Sequence, residues 1–277
     1  MKHVSFFLIA CCLAAGADAA ARPNIMFILA DDLGYSDLGC YGGEIATPNV
    51  DRLAAGGLRF TQFYNTGRCC PTRACILTGL YPHQTGVGHM TNDKGTPGYR
   101  GRLNDQCVTM GEVMRGGGYF TAMVGKWHVG QEHGVVPWQR GFDRSLNAPA
   151  GGFYYGQSPR AKLFLSGKEL ANDDPVLPKD WYSTDLWTDF ALRFIDESKP
   201  TGKPFFVYLA HNAPHFPLQA PPEEIARAKA AGVVTSFDLN YRASFWKGQG
   251  GTARAQAVLR KICSYVDVLV GNAEDLQ

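Results

Sequence analysis

Cys69-Cys70-Pro71-Thr72-Arg73 places a thiol, a helix-compatible proline and a guanidinium within one short stretch. A cysteine beside an arginine and near a helix start has a lowered pKa, and its thiolate is a nucleophile. Pro71 suits the first turn of a helix, where its missing N–H is not needed. Arg73 can hold an anion by charge-assisted hydrogen bonds. A buried cysteine pair beside a helix cap would show the same residues, and a short motif alone does not separate the two. Asp31-Asp32 adds a second chemistry. Adjacent carboxylates are costly unless something positive sits on them, and a hard divalent cation is the natural partner. The plain alternative is a solvated turn before Gly34. Lys126 and His128, then His211 and His215, supply a cation and proton carriers. Taken singly, each is an ordinary loop residue.

The elements around these groups favour the chemical reading. Residues 24–30 form a continuous apolar run ending in Asp31-Asp32, which predicts a parallel strand buried on both faces. Thr47 as N-cap and Pro48 at the first helical position start a helix over 49–55, which Gly56-Gly57 ends. Residues 58–64 alternate as a strand that feeds the cysteine motif. Thr109 caps another helix, closed by Gly116-Gly117-Gly118. Residues 119–125 read as a strand running into Lys126-Trp127-His128. Leu186, Phe190 and Phe194 give 185–197 helical spacing, and 204–210 is a further apolar strand ending in His211-Asn212-Ala213-Pro214-His215. Alternating strands and helices predict an α/β fold, a mostly parallel sheet with helices on both faces. Each reactive cluster then falls at a strand's carboxyl end, where open α/β sheets place ligand groups.

Composition sets the frame. The chain has 277 residues, 45% hydrophobic and 19% charged, enough for one large core or two modest ones. Its 27 basic and 25 acidic residues leave a net charge of +2, which gives no basis for a nucleic-acid partner or a charged membrane surface. Residues 1–19 read as a secretory signal peptide: a basic start, a short apolar run and Ala17-Asp18-Ala19. The run is too short for a stable membrane span, so the protein is expected to be exported, to the periplasm or beyond. Leu8-Ile9-Ala10-Cys11 loosely matches a lipoprotein box and ranks below plain secretion. The cysteine spacing fits neither a disulfide framework nor a zinc cluster, though one disulfide among Cys40, Cys70, Cys75 and Cys107 is open.

The cysteine motif, continuing Ala74-Cys75-Ile76-Leu77-Thr78-Gly79, resembles the signature of the type I sulfatases. From residue 22 to about 218 the chain is similar to bacterial arylsulfatases of the alkaline phosphatase superfamily. The matching stretches are 24–37, 47–60, 68–90, 125–130 and 205–221. The resemblance implies hydrolysis of sulfate monoesters, of a sulfated small molecule or carbohydrate. It implies that Cys69 is oxidised to formylglycine by a formylglycine-generating enzyme, with the aldehyde hydrate as nucleophile. It implies calcium held by Asp31, Asp32 and the residue made from Cys69. Arg73 would hold the formylglycine hydroxyl and Lys126 the sulfate. His128 would take the proton that returns the sulfated diol to aldehyde, and His215 would help the alcohol leave; His211 is the weaker claim. Related phosphohydrolases use serine or threonine at the cysteine position.

Two departures stand out. The family pattern continues with a later Asp-Asn pair for calcium and another lysine for sulfate, and neither occurs here in the expected setting; Asn272 and Asp275 lie in a different context. Residues 226–277 instead resemble a fragment of a ribokinase-type sugar kinase, similar to 2-keto-3-deoxygluconate kinases. Ser236-Phe237-Asp238-Leu239-Asn240-Tyr241-Arg242 and the final strand with Gly271-Asn272 carry that likeness. A chance α/β match is the alternative. The expected organisation is a signal peptide over 1–19, the N-terminal portion of a sulfatase domain over 20–225, and a short kinase-like βαβ piece over 226–277. An inactive truncated sulfatase fused to that piece is the rival functional reading.

Overall fold

In the computed structural model, residues 22–230, 236–238, 253, 256–257 and 268–270 are described. The signal-peptide stretch, Asn272 and Asp275 lie outside them. The chain divides into two units, Met1–Leu218 and Gln219–Gln277.

The first unit is built on β1 (Ile25–Leu29), β2 (Phe120–Lys126), β3 (Arg144–Ala148), β4 (Leu163–Leu165), β5 (Lys168–Leu170) and β6 (Phe205–Ala210). They form one sheet in the order β1-β6-β2-β3-β4-β5. β1, β6, β2 and β3 are parallel, while β4 and β5 add an antiparallel edge. The helices of this unit are α1 (Pro48–Gly56), α2 (Cys69–Thr78), α3 (Pro82–Thr85), α4 (Met110–Gly116) and α5 (Ser183–Ser198).

Side chains alternate across the sheet and so divide between two cores. Phe120, Ala122, Val124, Val207 and Leu209 pack with Leu186, Trp187, Phe190 and Phe194 of α5. Met123, Phe206, Tyr208 and Ala210 point the other way, onto Cys70, Ala74 and Leu77 of α2 and toward Met110 and Met114 of α4. Helices therefore cover both faces, as the alternating pattern predicts. β2 is buried along its whole length, which explains why its sequence is apolar without alternation.

Three local expectations change. β1 is an edge strand rather than a strand buried on both faces, and Met26 and Ile28 are 41% and 56% exposed. Apolar residues on both sides of a strand do not reveal whether a neighbour covers each side. Residues 58–64 form no strand. Among the described residues no strand pairs with them; Phe60 packs on Phe63 instead, and Tyr41 Oη donates to the Phe60 carbonyl at 3.0 Å. Thr47 does stand before α1, but its hydroxyl does not cap it. The oxygen accepts from Gly39 N at 2.9 Å and donates to Asp51 at 2.8 Å, tying the helix to the preceding loop. Thr109, by contrast, forms the full reciprocal cap with Glu112 at the start of α4. Cys40, Cys69, Cys70, Cys75 and Cys107 are all free thiols, so the four cysteines considered for a disulfide are unpaired.

In the second unit, α6 (Pro222–Ala230) is followed by a parallel pair, β7 (Ser236–Asp238) and β8 (Val268–Val270). No described helix is long and apolar enough to cross a membrane.

Candidate active site

Parallel register brings the reactive groups together. Leu29 of β1 and Gly125 of β2 both lie beside Ala210 of β6. The residues just beyond, Asp31, Lys126 and His211, therefore emerge side by side at the carboxyl end of the sheet. The ladder continues past the strands: His211 N donates to Leu29 O at 2.9 Å and Asp31 N to Ala213 O at 2.9 Å.

Gly125 makes that closeness achievable. Its φ is +107°, and a Cβ there would lie 2.0 Å from the Ala210 carbonyl oxygen. Beyond it, Lys126 and Trp127 turn opposite ways. Trp127 is buried, donates from Nε1 to Val135 O at 2.9 Å and meets Phe142 edge-on. Lys126 turns into the site and donates from Nζ to Asp31 Oδ2. Gly151 leaves room for it, since a Cβ there would stand 3.1 Å from Nζ. His128 follows in left-handed backbone, with φ +59°; Asp32 is likewise left-handed at +65°. Non-glycine residues rarely hold that conformation unless their surroundings enforce it, and such positions gather at functional sites.

Arg73 ties the site together. It is 1% exposed and lies on the inner side of α2. Its Nη1 donates to Lys126 O at 2.6 Å, its Nη2 to His211 O at 3.1 Å, and Nη2 stands 3.6 Å from Asp31 Oδ1. One guanidinium thus bridges the ends of β1, β2 and β6, a task that suits its planar fork of donors.

Cys69 is the first residue of α2, where the helix end is electropositive. Its thiol is held far below the ordinary range. A hydrogen bond from Cys70 is the main cause, aided by His128 and by the Lys126 charge and opposed by burial. Cys70 is pushed strongly up, because it gives its hydrogen to Cys69 and because it is buried. Burial pushes His128 down, and the Lys126 and Arg73 charges add to that, while Cys69 opposes it. The imidazole is therefore neutral near pH 7 and able to accept a proton. His211 is lowered to about 4 by burial and by Arg73. His215 lies nearer the rim, its Nε2 3.8 Å from Asp32 Oδ2.

All of the singled-out residues thus meet in one place. Cys69, Lys126 and His128 form one cluster, Asp31 and Arg73 form its buried support, and Asp32 with His215 form its outer side. The cysteine motif forms the first turn of α2 rather than a strand end or the loop before the helix. Sequence reasoning missed Asn212. Its Oδ1 accepts from Trp187 Nε1 at 2.7 Å and its Nδ2 donates to Phe153 O at 2.5 Å, which anchors the His211–His215 loop to α5. It missed Tyr154 too, whose hydroxyl donates to His215 O at 2.8 Å. Nothing local marks either residue. Gly125 did carry a signal, since a glycine inside an apolar strand points to a close backbone approach.

The donors divide by kind. Asp31 and Asp32 offer hard oxygen ligands, which fit calcium. A thiolate at residue 69 does not; an oxygen there would.

The chain is matched by the sulfatase family model over residues 23–232. An arylsulfatase from Klebsiella aerogenes is 38% identical over 94% of this chain and 63% of its own length. An uncharacterized sulfatase of Schizosaccharomyces pombe is 40% identical over 74% of the chain and 40% of its own length. Among solved structures, Ps i-CgsB in complex with k-i-k-neocarrahexaose matches with a TM-score of 0.66 at 33% identity, over 74% of this chain and 48% of that one. BT4656 in complex with its substrate D-glucosamine-2-N,6-O-disulfate gives a TM-score of 0.62 at 30% identity, over 80% of this chain and 41% of that one. The chain spans between 40% and 63% of the lengths of these two curated relatives. Matched by the family model and by these relatives along most of its length, the chain belongs to the sulfatase family.

Proposed function

We propose that this chain carries the sulfate-binding and nucleophile-bearing part of a sulfatase that hydrolyses sulfate monoesters. The Cys69–Lys126–His128 cluster beside two carboxylates carries this reading. Cys69 is proposed to become formylglycine, made by a formylglycine-generating enzyme acting on the exported chain. The converted residue would supply a hydroxyl nucleophile, and calcium held by Asp31, Asp32 and that residue would supply a fixed positive charge. Sulfated carbohydrate is the favoured substrate class, because structural neighbours are described with a carrageenan-type oligosaccharide and a glucosamine disulfate.

The chain's own residues then have distinct tasks. Lys126 binds the sulfate by charge, since an anionic ester is attacked readily only when positive groups surround it. Arg73 fixes Asp31 and the backbone of Lys126 and His211, so the anion meets a preorganised site. His128 accepts a proton at a ring nitrogen, as its neutral state allows. His215, held at its carbonyl by Tyr154, donates to the departing alcohol oxygen at the rim.

The test is hydrolysis of a chromogenic aryl sulfate and of a 6-O-sulfated glucosamine. The full chain would be co-expressed with a formylglycine-generating enzyme and assayed with and without calcium, beside Cys69→Ala. Calcium-dependent turnover lost in the variant is the expected result. Soluble, formylglycine-bearing chain without turnover would make it an inactive remnant. Phosphate-ester hydrolysis in its place would make it a phosphohydrolase, a reading the cysteine at 69 disfavours.

The residues from 226 onward are proposed to be the sugar-kinase-like fragment that their sequence resembles; the parallel β7–β8 pair supports an α/β origin. Resequencing the locus across residues 221–229 tests this. An intact junction leaves a real fusion standing, and two separate full-length genes would show an assembly error.

A further inference from the structure

Before any oxidation of Cys69, the site holds a different set of donors. Cys69 Sγ, Cys70 Sγ and a ring nitrogen of His128 all lie within 4.8 Å of one another, the only such group of three among the described residues. With metal–sulfur bonds of about 2.3 Å, three donors around one ion stand about 4 Å apart. A contraction of less than about 1 Å would therefore bring all three onto one ion. Two thiolates are soft donors and an imidazole suits copper as well, unlike the carboxylates beside them. His128 Nδ1 is buried with no hydrogen-bond partner, so one ring nitrogen is left without a task in the protein alone.

Charge narrows the ion. Lys126 and Arg73 are both buried here and would repel a complex carrying net positive charge. A divalent ion with two thiolates is neutral. A monovalent ion with two thiolates carries one negative charge, which is the sign these cations favour. Three-coordination also suits copper(I) and leaves no open position, whereas zinc would need a fourth ligand.

We infer that Cys69, Cys70 and His128 of the unconverted chain form a three-coordinate site for copper(I). Both sulfurs bind as thiolates, any thiol proton still present passes to solvent, and no oxidation state changes. Replacing the sulfur of residue 69 by oxygen removes one of the two soft donors and abolishes the site. The bound ion also blocks the thiol at 69, so copper loading and thiol chemistry at that residue exclude each other.

The experiment uses the full chain expressed without a formylglycine-generating enzyme, reduced and anaerobic. Copper(I) is delivered in competition with a chromogenic chelator, with zinc as a parallel arm. Copper K-edge absorption reads the coordination. The expected result is one tightly held equivalent with two sulfurs and one nitrogen at the metal, and protection of Cys69 from alkylation. Cys70→Ala and Cys69→Ser should each weaken binding by more than the ~10–100-fold that outer-sphere changes cost. Cys75→Ser, a thiol of the same helix outside the cluster, should leave it unchanged. Binding of equal strength in Cys70→Ala, copper bound by sulfur alone, or zinc held more tightly than copper overturns the inference. Circular dichroism of each variant separates a lost ligand from a lost fold. None of these readouts depends on sulfate hydrolysis.

Discussion

At the scale of single residues, Arg73 has the widest reach, because its guanidinium joins three strand ends. Arg73→Lys keeps the charge but cannot span the Lys126 and His211 carbonyls and Asp31 together. Leaving those buried acceptors short of a donor should cost about 2–4 kcal/mol in urea unfolding. A loss below about 1 kcal/mol would show that the bridge is dispensable. Glu112 gives a prediction in pH. Burial alone would raise its carboxyl, but the hydrogen bond from Thr109 N and the Arg140 guanidinium outweigh burial and lower it. A lowered folded pKa means its contribution is present above the unfolded value, about 4.3, and is lost as pH falls through the folded one. Glu112→Gln should therefore flatten the acid-side fall in stability below about pH 4.5, and an unchanged slope would remove Glu112 from that role. The residues of the site were largely legible in sequence. Cys69, Arg73, Lys126, His128 and the aspartates announce themselves by chemical type and setting. Asn212 and Tyr154 did not, because their partners lie 25 and 61 residues away in the chain.

At the scale of elements, the close approach of β2 to β6 decides where Lys126 emerges. Gly125→Ala would drive a methyl group into the Ala210 carbonyl and impose a strained φ on alanine. A loss of more than about 3 kcal/mol is expected, read as a lower urea midpoint or as failure to accumulate in soluble form. A nearly normal midpoint would show that the two strands can part. Trp187→Phe tests the tie between α5 and the histidine loop. Asn212 Oδ1 would lose its buried donor, at about 1–3 kcal/mol. Equal urea midpoints for the two chains would rule that tie out. The elements of the sheet centre were readable because β2, β6 and α5 are buried by partners matching their periodicity. Residues 58–64 show the opposite case, since alternation predicts a strand only where a ladder is available to receive it. β1 was identified as a strand but not as an edge, because pairing partners are not written in a strand's own residues.

At the scale of the whole molecule, the sheet ends on β1 among the described residues, with Met26 and Ile28 turned partly to solvent. An open, apolar edge invites pairing with another chain, and a net charge of only +2 does little to prevent it. Ile28→Lys places a charge on that edge. Light scattering on heating should fall, while the unfolding midpoint moves by no more than about 0.5 kcal/mol equivalent. Undiminished scattering would assign association to another surface, with the exposed Phe63 and Tyr64 next in line. The α/β class was legible from the alternation of elements. The antiparallel β4–β5 extension was not, since those strands are only three residues each.

Asp32 and His128 share the left-handed backbone noted at the site. Glycine would relax at both positions, and asparagine would fit more easily than most residues. A library selected only for heat resistance would thus be drawn toward replacing them, each gain removing a carboxylate or an imidazole. Selection for endurance and selection for chemistry pull these two codons in opposite directions.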